Sequence, residues 1–313
     1  MTTEPTATLA LLNELEPVVE ANLNRHLATA KEWFPHEYVP WSQGRDFDGV
    51  LGGEAWEPGQ SKLSEVARIS LIVNLLTEDN LPSYHHEIAT IFGRDGAWGT
   101  WVHRWTAEEG RHGVAIRDYL LATRAVDPVA LERARMTHME VGFTNAYEGL
   151  IESVAYVSFQ ELATRVSHRN TGTASGDPIC EQLLVKVAND ENLHMIFYRN
   201  LLNAAFDVAP NTTMRAITKV AKSFQMPGHT IENFGRKSVQ IAMAGIYDLR
   251  LHHDDVLIPV LRQVKAFDRQ LSGDGEAARE ELSAYLTDLD AQASRFVERR
   301  EVTRARQSAR AAV

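Results

Sequence analysis

Cysteine is almost absent from this 313-residue chain, which contains only Cys180. A single thiol excludes an internal disulfide framework, and it cannot hold an iron–sulfur cluster that needs four thiolates. Electrons for any redox reaction must therefore come from outside the chain. We expect Cys180 itself to be a small buried hydrophobe near the start of a helix.

Long apolar runs and an excess of basic residues are also missing. No apolar run reaches about 18 residues, and the N-terminal MTTEPTATLALL lacks a basic segment followed by a long apolar core. We therefore expect a cytoplasmic protein without a membrane span. The formal net charge of −10 argues against nucleic-acid binding, which requires a basic face.

Strand-like alternation of apolar and polar residues is scarce, whereas Ala, Leu, Glu and Arg are abundant. Since 44% of the residues are hydrophobic, the chain can bury a sizeable core. These features predict an all-α protein.

Two Glu-x-x-His pairs occur among the 12 histidines, Glu109 with His112 and Glu191 with His194. In a helix, both side chains of such a pair project from one face about one turn apart. A chain of this length should contain on the order of one such pair by chance, so the pairs alone are weak evidence.

A further glutamate lies upstream of each pair. Glu78 precedes Glu109 by 31 positions, and Glu161 precedes Glu191 by 30. One helix that supplies a Glu, followed by one that supplies Glu-x-x-His, is the repeat of ferritin-like di-iron and di-manganese carboxylate bundles. The sequence therefore predicts a ferritin-like four-helix bundle with additional helices.

Each of these glutamates lies in a stripe of apolar residues at helical spacing. Before Glu109, for example, the stripe consists of Trp98, Trp101 and Trp105. Four carboxylates therefore point inward, where unpaired charges are prohibitive. Four carboxylates and two neutral imidazoles balance the charge of two divalent metals. The alternative, surface glutamates in ion pairs, would require all four apolar stripes to be exposed.

The chain divides into three segments of a single predicted domain: an N-terminal helix and aromatic arm over 1–60, the di-iron bundle core with additional helices over 61–270, and a C-terminal helix with a basic tail over 271–313. We expect helices over 7–32, from about 61 through a kink at Pro82, over 97–124 and 144–168, and from Asp177-Pro178 to about 205. The polar string HRNTGTASGDP is expected to be a loop, and the Arg-rich end after Phe296 to fray.

Four longer strings, TEDNLPSY, WTAEEGRHG, SFQELATRVSHRNTG and NDENLHMIFY, resemble the soluble acyl-[acyl-carrier-protein] desaturases, particularly actinobacterial ones. The similarity covers most of residues 10–265. It implies a non-haem di-iron centre with two Fe ions held by Glu78, Glu109, His112, Glu161, Glu191 and His194. It further suggests that Glu109 and Glu191 are terminal ligands of separate irons and that Glu161 is a bridging or flexible ligand.

The resemblance also implies roles for residues near the metals. Thr164 would place its hydroxyl on the oxygen-binding side, although a helical threonine commonly bonds back to the i−4 carbonyl. Asp190 and Trp33 would connect a histidine ligand to the surface, and Trp105 either lines an acyl cavity or belongs to the core. Gly110 and Leu193 depart from residues common in relatives, which affects the surroundings of the site more than its ligands.

The implied reaction removes two hydrogens from a saturated acyl chain on acyl carrier protein, using O₂ and two electrons from ferredoxin, in a homodimer. Three alternatives remain open at this point: a di-iron acyl hydroxylase, a ferritin-like iron- or peroxide-handling protein, and a catalytically silent partner subunit. Chain length and double-bond position depend on the depth of the cavity, which the sequence does not reveal.

Acyl carrier proteins are acidic, so a protein of net charge −10 needs a local positive patch to attract one. One candidate is Lys31. Another is the cluster around the Met226-Pro227-Gly228-His229 turn, which comprises Arg215, Lys219, Lys222, Arg236 and Lys237. The Arg-rich tail after Phe296 is a third.

Overall fold

A computed structural model describes residues 8–311 and shows a helical protein. Within that range, the only extended pairing is an isolated bridge between Phe47 and Glu54. The prediction of an all-α, ferritin-like bundle with additional helices is confirmed. None of the described helices is long and apolar enough to cross a bilayer.

The described part contains eleven α-helices: α1 Thr8–Thr29, α2 Glu65–Asp79, α3 Leu81–Phe92, α4 Gly96–Ala122, α5 Pro128–Val141, α6 Leu150–Ser175, α7 Pro178–Val208, α8 Pro210–Ser223, α9 Phe234–Ala244, α10 Leu249–Gln263, and α11 Asp274–Ala311. Helix α10 consists of Leu249–Leu251, a π-helical turn at His252–Leu257, and Ile258–Gln263. Short 3₁₀ turns lie at Pro35–Glu37, Trp41–Gln43, Pro58–Gln60, Pro227–Thr230 and Ala266–Asp268.

Helices α2, α4, α6 and α7 form the central bundle, and the antiparallel α6–α7 pair is its most extensive contact. Helix α1 covers α4 and α7, while α8 packs between α6 and α11. One buried apolar cluster extends from Leu11 in α1 to Leu289 in α11. A second lies between α2, α4 and α7 and includes Trp33 of the arm.

Aspartate caps begin α5 and α7, the latter at the predicted Asp177-Pro178 pair and the former at the pair Asp127-Pro128. Asp127 accepts from the backbone N–H of Val129 at 2.9 Å, and Asp177 accepts from Ile179 at 2.9 Å. Cys180 is fully buried in the first turn of α7, as expected. These local signals located both helix starts because each depends only on neighbouring residues.

The expected kink at Pro82 is a complete break between two helices. Helix α2 ends at Asp79, Asn80 forms the junction, and Pro82 lies in the first turn of α3. Proline has no N–H for the carbonyl of Glu78, but the first helical turn needs no such bond. The break leaves Glu78 in the last turn of α2.

Helix α6 begins later and ends later than predicted. It starts at Leu150, and the string expected to be a loop continues the helix to Ser175. His168 and Thr171 are buried, and the Thr171 hydroxyl meets that of Ser70 at 2.7 Å. A Cβ at Gly172 would lie 3.1 Å from Cα of Glu181, so glycine permits the close α6–α7 approach. Tertiary burial therefore overrides the loop-like composition.

The aromatic arm, residues 30–64, wraps over the bundle and is anchored by Arg124. The guanidinium of Arg124 donates to four arm carbonyls and stacks on Phe47 at 4.1 Å from the ring centroid; the carbonyls belong to Arg45, Asp46, Glu54 and Ala55. Trp33 is buried, but Trp41 is 53% exposed. The arm therefore buries some of its aromatic residues and not all of them.

The Arg-rich end of the chain is helical rather than frayed as far as Ala311; residues 312–313, like 1–7, lie outside the described range. Arg300 forms an ion pair with Asp248 and also donates to the carbonyl of Ala242. Arg304 donates to the carbonyl of Met243 at 2.8 Å. These bonds hold the end of α11 against the α9–α10 connection, which the sequence pattern could not show.

His252 in the π turn should make the fold sensitive to acid. Burial lowers its pKa to about 4, with His253 adding to the shift; its Nδ1 accepts from Tyr247 at 2.8 Å. In the unfolded chain, the imidazole of His252 is protonated near pH 6.5, whereas in the fold it is protonated only near pH 4. The free energy of unfolding therefore keeps its full value above pH 6.5 and decreases as the pH falls towards 4. The loss should be on the order of 3 kcal/mol.

His252→Gln keeps an acceptor for Tyr247 but cannot titrate. Urea unfolding at both ends of this pH range should show a smaller fall in the free energy of unfolding for the variant than for the wild type. Equal falls in the two proteins would exclude His252 as a source of the acid sensitivity.

Candidate metal centre

The four predicted helices bring the six predicted ligands together in the interior of the bundle. Helix α2 contributes Glu78, α4 contributes Glu109 and His112, α6 contributes Glu161, and α7 contributes Glu191 and His194. All six side chains are buried. The alternative in which these glutamates form surface ion pairs is therefore wrong.

The ligand atoms form two groups, each with its atoms within 4.8 Å of one another. The first consists of Glu78, Glu109, His112 and Glu191, and the second consists of Glu109, Glu161, Glu191 and His194. Glu109 and Glu191 belong to both groups. This differs from the expected division, in which these two were terminal ligands, because α4 and α7 each place their Glu between the two histidines.

The distances around each histidine support this grouping. Nδ1 of His112 lies 3.4 Å from Glu109, 3.6 Å from Glu191 and 3.7 Å from Glu78. Nδ1 of His194 lies 2.7 Å from Glu109, 3.6 Å from Glu161 and 3.8 Å from Glu191. Each imidazole therefore faces three carboxylates through the same ring nitrogen.

Five of the facing atoms are buried and make no hydrogen bond of suitable geometry: Nδ1 of both histidines and one oxygen each of Glu109, Glu161 and Glu191. Two of them, Nδ1 of His194 and Oε1 of Glu109, lie only 2.7 Å apart. Buried polar atoms are rarely left unpaired, so their convergence indicates that a cation completes the site. Burial raises the pKa of Glu191 well above its usual value, and Glu109 and Glu161 add to the shift. Carboxylate oxygens with one imidazole per position fit iron or manganese.

His112 is oriented by the predicted Asp190–Trp33 pair. Its Nε2 lies 3.3 Å from Oδ2 of Asp190, which also accepts from Nε1 of Trp33 at 2.8 Å and from Arg111 at 3.0 Å. With Nε2–H donating outward, Nδ1 is left free to face the interior. The structure thus brings Trp33 and Asp190 into contact with the centre.

His194 has a corresponding carboxylate, Glu108, which the sequence interpretation missed. Oε2 of Glu108 lies 2.9 Å from Nε2 of His194 and 2.9 Å from Nε2 of His26, while Arg104 donates to its other oxygen. Although burial raises the pKa of Glu108, hydrogen bonds from the two histidines lower it below its usual value. A charged carboxylate therefore fixes the tautomer of His194.

A sequence signal for Glu108 did exist. An acidic residue directly precedes the Glu of each Glu-x-x-His pair, Glu108 on α4 and Asp190 on α7. Each of these acids contacts the histidine of the opposite helix rather than its own. The two adjacent acidic residues on each helix thus indicate two reciprocal contacts, in which the first acid of α4 orients the histidine of α7 and the first acid of α7 orients the histidine of α4.

Glu78 and Glu161, which belong to one group each, are also held from outside. Nε2 of His168 donates to Glu78 at 2.9 Å, and Nε1 of Trp105 donates to Glu161 at 2.9 Å. His168 was not predicted as part of the site because it lay at the end of the expected helix. Trp105 combines both expected roles, since it is buried in the core and lines a cavity.

Comparison with known proteins decides the family. The sequence profile of the fatty acid desaturases matches residues 7–312. The chain belongs to this family. It is 52% identical over 308 residues to DesA1 of Mycobacterium tuberculosis, which is named as a candidate acyl-[acyl-carrier-protein] desaturase; the match covers 96% of this chain and 90% of that protein.

More distant relatives agree with this assignment. The spinach chloroplast stearoyl-[acyl-carrier-protein] 9-desaturase is 27% identical over 94% of this chain and 77% of its own length. A crystal structure of DesA2 from Mycobacterium tuberculosis, named likewise as a candidate acyl-ACP desaturase, superimposes with a TM-score of 0.70 at 35% identity. That superposition covers 82% of this chain and 95% of DesA2.

Two apolar cavities of this desaturase meet the metal centre at Glu78. The first, which we call the Tyr84 cavity, is lined by Tyr84, Ile88, Trp105, Phe143, Tyr156 and Val157 and reaches Glu109. The second, the Phe234 cavity, is lined by Val73, Met226, Phe234, Ile241 and Tyr247 and reaches Thr164. Burial raises the pKa of Tyr84, Tyr156 and Tyr247 well above the usual value, so these three hydroxyls are neutral. Besides Glu78 and Glu109, Glu87 is a further carboxylate in the lining of the Tyr84 cavity.

The hydroxyl of Thr164 bonds back within α6. Oγ1 donates towards the carbonyls of Gln160 at 3.1 Å and Glu161 at 3.0 Å. This is the local bond that a helical threonine commonly makes. The side chain nevertheless lines the Phe234 cavity beside Glu78, so its role in the reaction stays a prediction.

Proposed function

We propose that this desaturase holds two iron ions through Glu78, Glu109, His112, Glu161, Glu191 and His194 and introduces a double bond into an acyl chain carried by acyl carrier protein. The observation that carries the proposal is the convergence of five unpaired buried ligand atoms next to two apolar cavities. The names of the relatives support the substrate class.

The reaction balances with dioxygen and an external reductant. A saturated –CH₂–CH₂– unit loses two hydrogens, while O₂ takes up these, two electrons and two protons to give two waters. When bound, the iron pair supplies the oxidising power for this step. The chain's own contribution is to position the acyl chain and to exclude water from it.

Particular residues perform that positioning. The apolar side chains of the Tyr84 and Phe234 cavities favour an alkyl chain over water, and both linings include Glu78. His168 fixes the carboxylate of Glu78 where the two cavities meet, while Asp190 and Glu108 hold the two imidazoles. The alkyl chain would therefore pass the metal centre on its Glu78 side.

We propose that the electrons enter from a separate protein, because a single cysteine cannot hold an iron–sulfur cluster that needs four thiolates. Ferredoxin is the donor that we propose. The hydrogen-bonded series Trp33–Asp190–His112 connects the arm with the centre and supports entry from that side. A homodimer is the assembly that we propose, and its mass can be measured by light scattering.

The proposed docking patch is partly neutralised within the fold. Lys219 pairs with Glu152 at 2.8 Å, Lys222 pairs with Glu281, and Arg215 lies 3.6 Å from Asp274. Arg236 is exposed, and both it and Lys237 follow Phe234, which lines the second cavity. We therefore place the main contact with acyl carrier protein at Arg236 and Lys237.

Arg236→Gln/Lys237→Gln should weaken binding of acyl carrier protein roughly tenfold and flatten its salt dependence. The reason is that it removes two charges, neither of which forms an ion pair with another described residue, although Lys237 donates to the carbonyl of Glu232 at 2.7 Å. Lys219→Gln/Lys222→Gln removes the same charge from paired residues and should have the smaller effect. Affinities measured over a salt series compare the two variants. A larger loss for the Lys219 and Lys222 pair would move the contact to α8.

The mass of the product tests the proposed reaction. The iron-loaded protein is incubated with acyl carrier protein bearing a saturated chain, ferredoxin with its reductase, and O₂, and the carrier is then weighed intact by mass spectrometry. Loss of two hydrogens supports desaturation. A gain of one oxygen would identify a hydroxylase, and an unchanged mass with iron oxidation would favour an iron- or peroxide-handling protein.

Thr164→Val should retain iron but slow product formation several-fold, because it keeps the shape of the side chain while removing the hydroxyl beside Glu78. Iron content, O₂ consumption and product are measured on the same samples. Ser158→Ala, which removes another buried hydroxyl of α6 that bonds back to Val154, serves as the control. Unchanged turnover together with unchanged product per O₂ in Thr164→Val would reduce Thr164 to a packing residue.

A further inference from the structure

A groove on the outer face of α6 and α7 concentrates positive charge in a protein whose formal net charge is −10. Its volume is about 520 Å³, and α10 forms its third wall. Arg165 and Arg169 of α6 and Arg199 of α7 line it, against one carboxylate, Asp255. The lining therefore carries a formal charge of +3 − 1 = +2.

None of these arginines forms an ion pair with another described residue, although the charge of Asp255 attracts Arg165. Among residues 8–311, no carboxylate lies within ion-pair distance of Arg165, Arg169, Arg199 or the neighbouring Arg25. Nε of Arg199, together with Nε and Nη2 of Arg25, is buried without a hydrogen bond. Burial lowers the pKa of Arg165, and the charge of Arg169 lowers it further. Burial likewise lowers the pKa of Arg199, with a further contribution from Arg25.

Such an arrangement is costly unless an anion completes it. The half-buried Arg165 and Arg199 lose hydration, and the exposed Arg169 repels Arg165. The planar, forked donors of arginine match the oxygens of a phosphate or a carboxylate. Three guanidinium groups around one cavity favour a doubly charged oxyanion over a singly charged one.

The floor of the groove points to a second part of the ligand. Leu162, Val166, Met195 and Val260 give the lining an apolar part, beside the polar Asn170 and Asn192. The volume lies within the usual range of roughly 300–1,000 Å³ for small-molecule pockets. A ligand with an alkyl part next to its charged group would cover this surface, which a free inorganic anion cannot.

We propose that this groove binds an amphiphilic phosphate, with the phosphate on Arg165, Arg169 and Arg199 and the alkyl part on the apolar floor. The source could be a soluble alkyl phosphate or the head group of an anionic lipid, and the two share this chemistry. Leu162 and Met195 directly follow Glu161 and His194, and no lining residue of the groove lines either acyl cavity. It is separate from both acyl cavities.

Calorimetry with octyl phosphate tests the site on the full-length, iron-loaded protein. We expect a Kd below about 1 mM for octyl phosphate, weaker binding of inorganic phosphate, and no measurable binding of octanol. Flotation with phosphatidylcholine vesicles, with and without phosphatidic acid, distinguishes the sources. Arginine-dependent flotation identifies a lipid head group, whereas binding of octyl phosphate without flotation identifies a soluble ligand.

Arg165→Gln/Arg169→Gln should weaken the binding of octyl phosphate at least about tenfold, since two charge-assisted contacts are lost. Arg133→Gln/Arg295→Gln removes the same charge from two exposed arginines elsewhere and should bind as the wild type does. Without ligand, the groove variant should melt no lower than the wild type, because it removes two unpaired like charges. Arg199→Gln provides a second variant if the double one folds poorly.

Three results would overturn the proposal. The first is wild-type protein that binds neither octyl phosphate nor the anionic vesicles. The second is an affinity that the groove variants do not change. The third is a wild-type dimer that does not bind octyl phosphate and that dissociates when the groove arginines are replaced. The groove would then be an interface between two copies of this chain.

Discussion

Replacing Glu109 or Glu191 by alanine is expected to remove iron from both positions, whereas Glu78→Ala or Glu161→Ala should remove only one of two irons. The reason is that Glu109 and Glu191 belong to both groups of ligand atoms and the other two glutamates to one group each. Elemental analysis after anaerobic reconstitution with ferrous iron measures the number of irons bound per chain. Activity should be lost in all four variants, since each position needs its ligands.

Glu181→Ala is the matched control, because it makes the same change at an exposed position of α7. It should retain two irons. If Glu109→Ala kept one tightly bound iron, as Glu161→Ala is expected to do, Glu109 would not be shared and the grouping seen in the structure would be wrong. Circular dichroism of each variant confirms that the bundle is intact.

Neutralising the carboxylates behind the histidines should weaken one iron position at a time. Glu108→Gln removes the charged acceptor of His194, and Asp190→Asn removes that of His112. Loss of such a partner typically reduces metal affinity 10- to 100-fold. Titration against a competing chelator should therefore show one weakened and one unchanged position in each variant.

His26→Gln tests whether Glu108 acts specifically through the imidazole of His194 or only through packing. His26 contacts Glu108 but not the inward ligand atoms, so its replacement should affect affinity less than Glu108→Gln does. Equal weakening of both positions in Glu108→Gln would contradict a specific link to His194. An effect of His26→Gln as large as that of Glu108→Gln would indicate that loss of packing is the cause.

The sequence pattern identified the six candidate ligands that the fold brings together because their signal is local. Glu-x-x-His spacing puts Glu109 with His112 on one face of a helix, and the apolar stripes show that this face is buried. Which glutamates are shared could not be predicted in this way. That depends on how α4 and α7 stand relative to α2 and α6, which is a property of packing between helices.

The errors in helix boundaries have the same origin. Composition suggested a loop after His168, yet contacts with Ser70 and Glu181 keep α6 helical to Ser175. The continued helix places Arg169 one turn beyond Arg165 and on the same groove. An interpretation that ended α6 at residue 168 therefore could not find the cationic groove.

Tertiary contacts also changed the interpretation of charge. The sequence pattern shows Lys219, Lys222 and Arg300 as available cations, but each is paired in the fold. Arg165 and Arg199 looked like ordinary helical residues and turn out to be half-buried without a carboxylate partner. Net charge and spacing therefore identify cationic segments but not which cations remain available to a partner.

Anomalous diffraction at the iron edge, from crystals of the iron-loaded protein, tests the metal centre most directly. We predict two peaks inside the bundle, one beside Nδ1 of His112 and the other beside Nδ1 of His194, with Glu109 and Glu191 between them. A single peak would contradict this account. So would iron on the Nε2 side of His194, between Glu108 and His26.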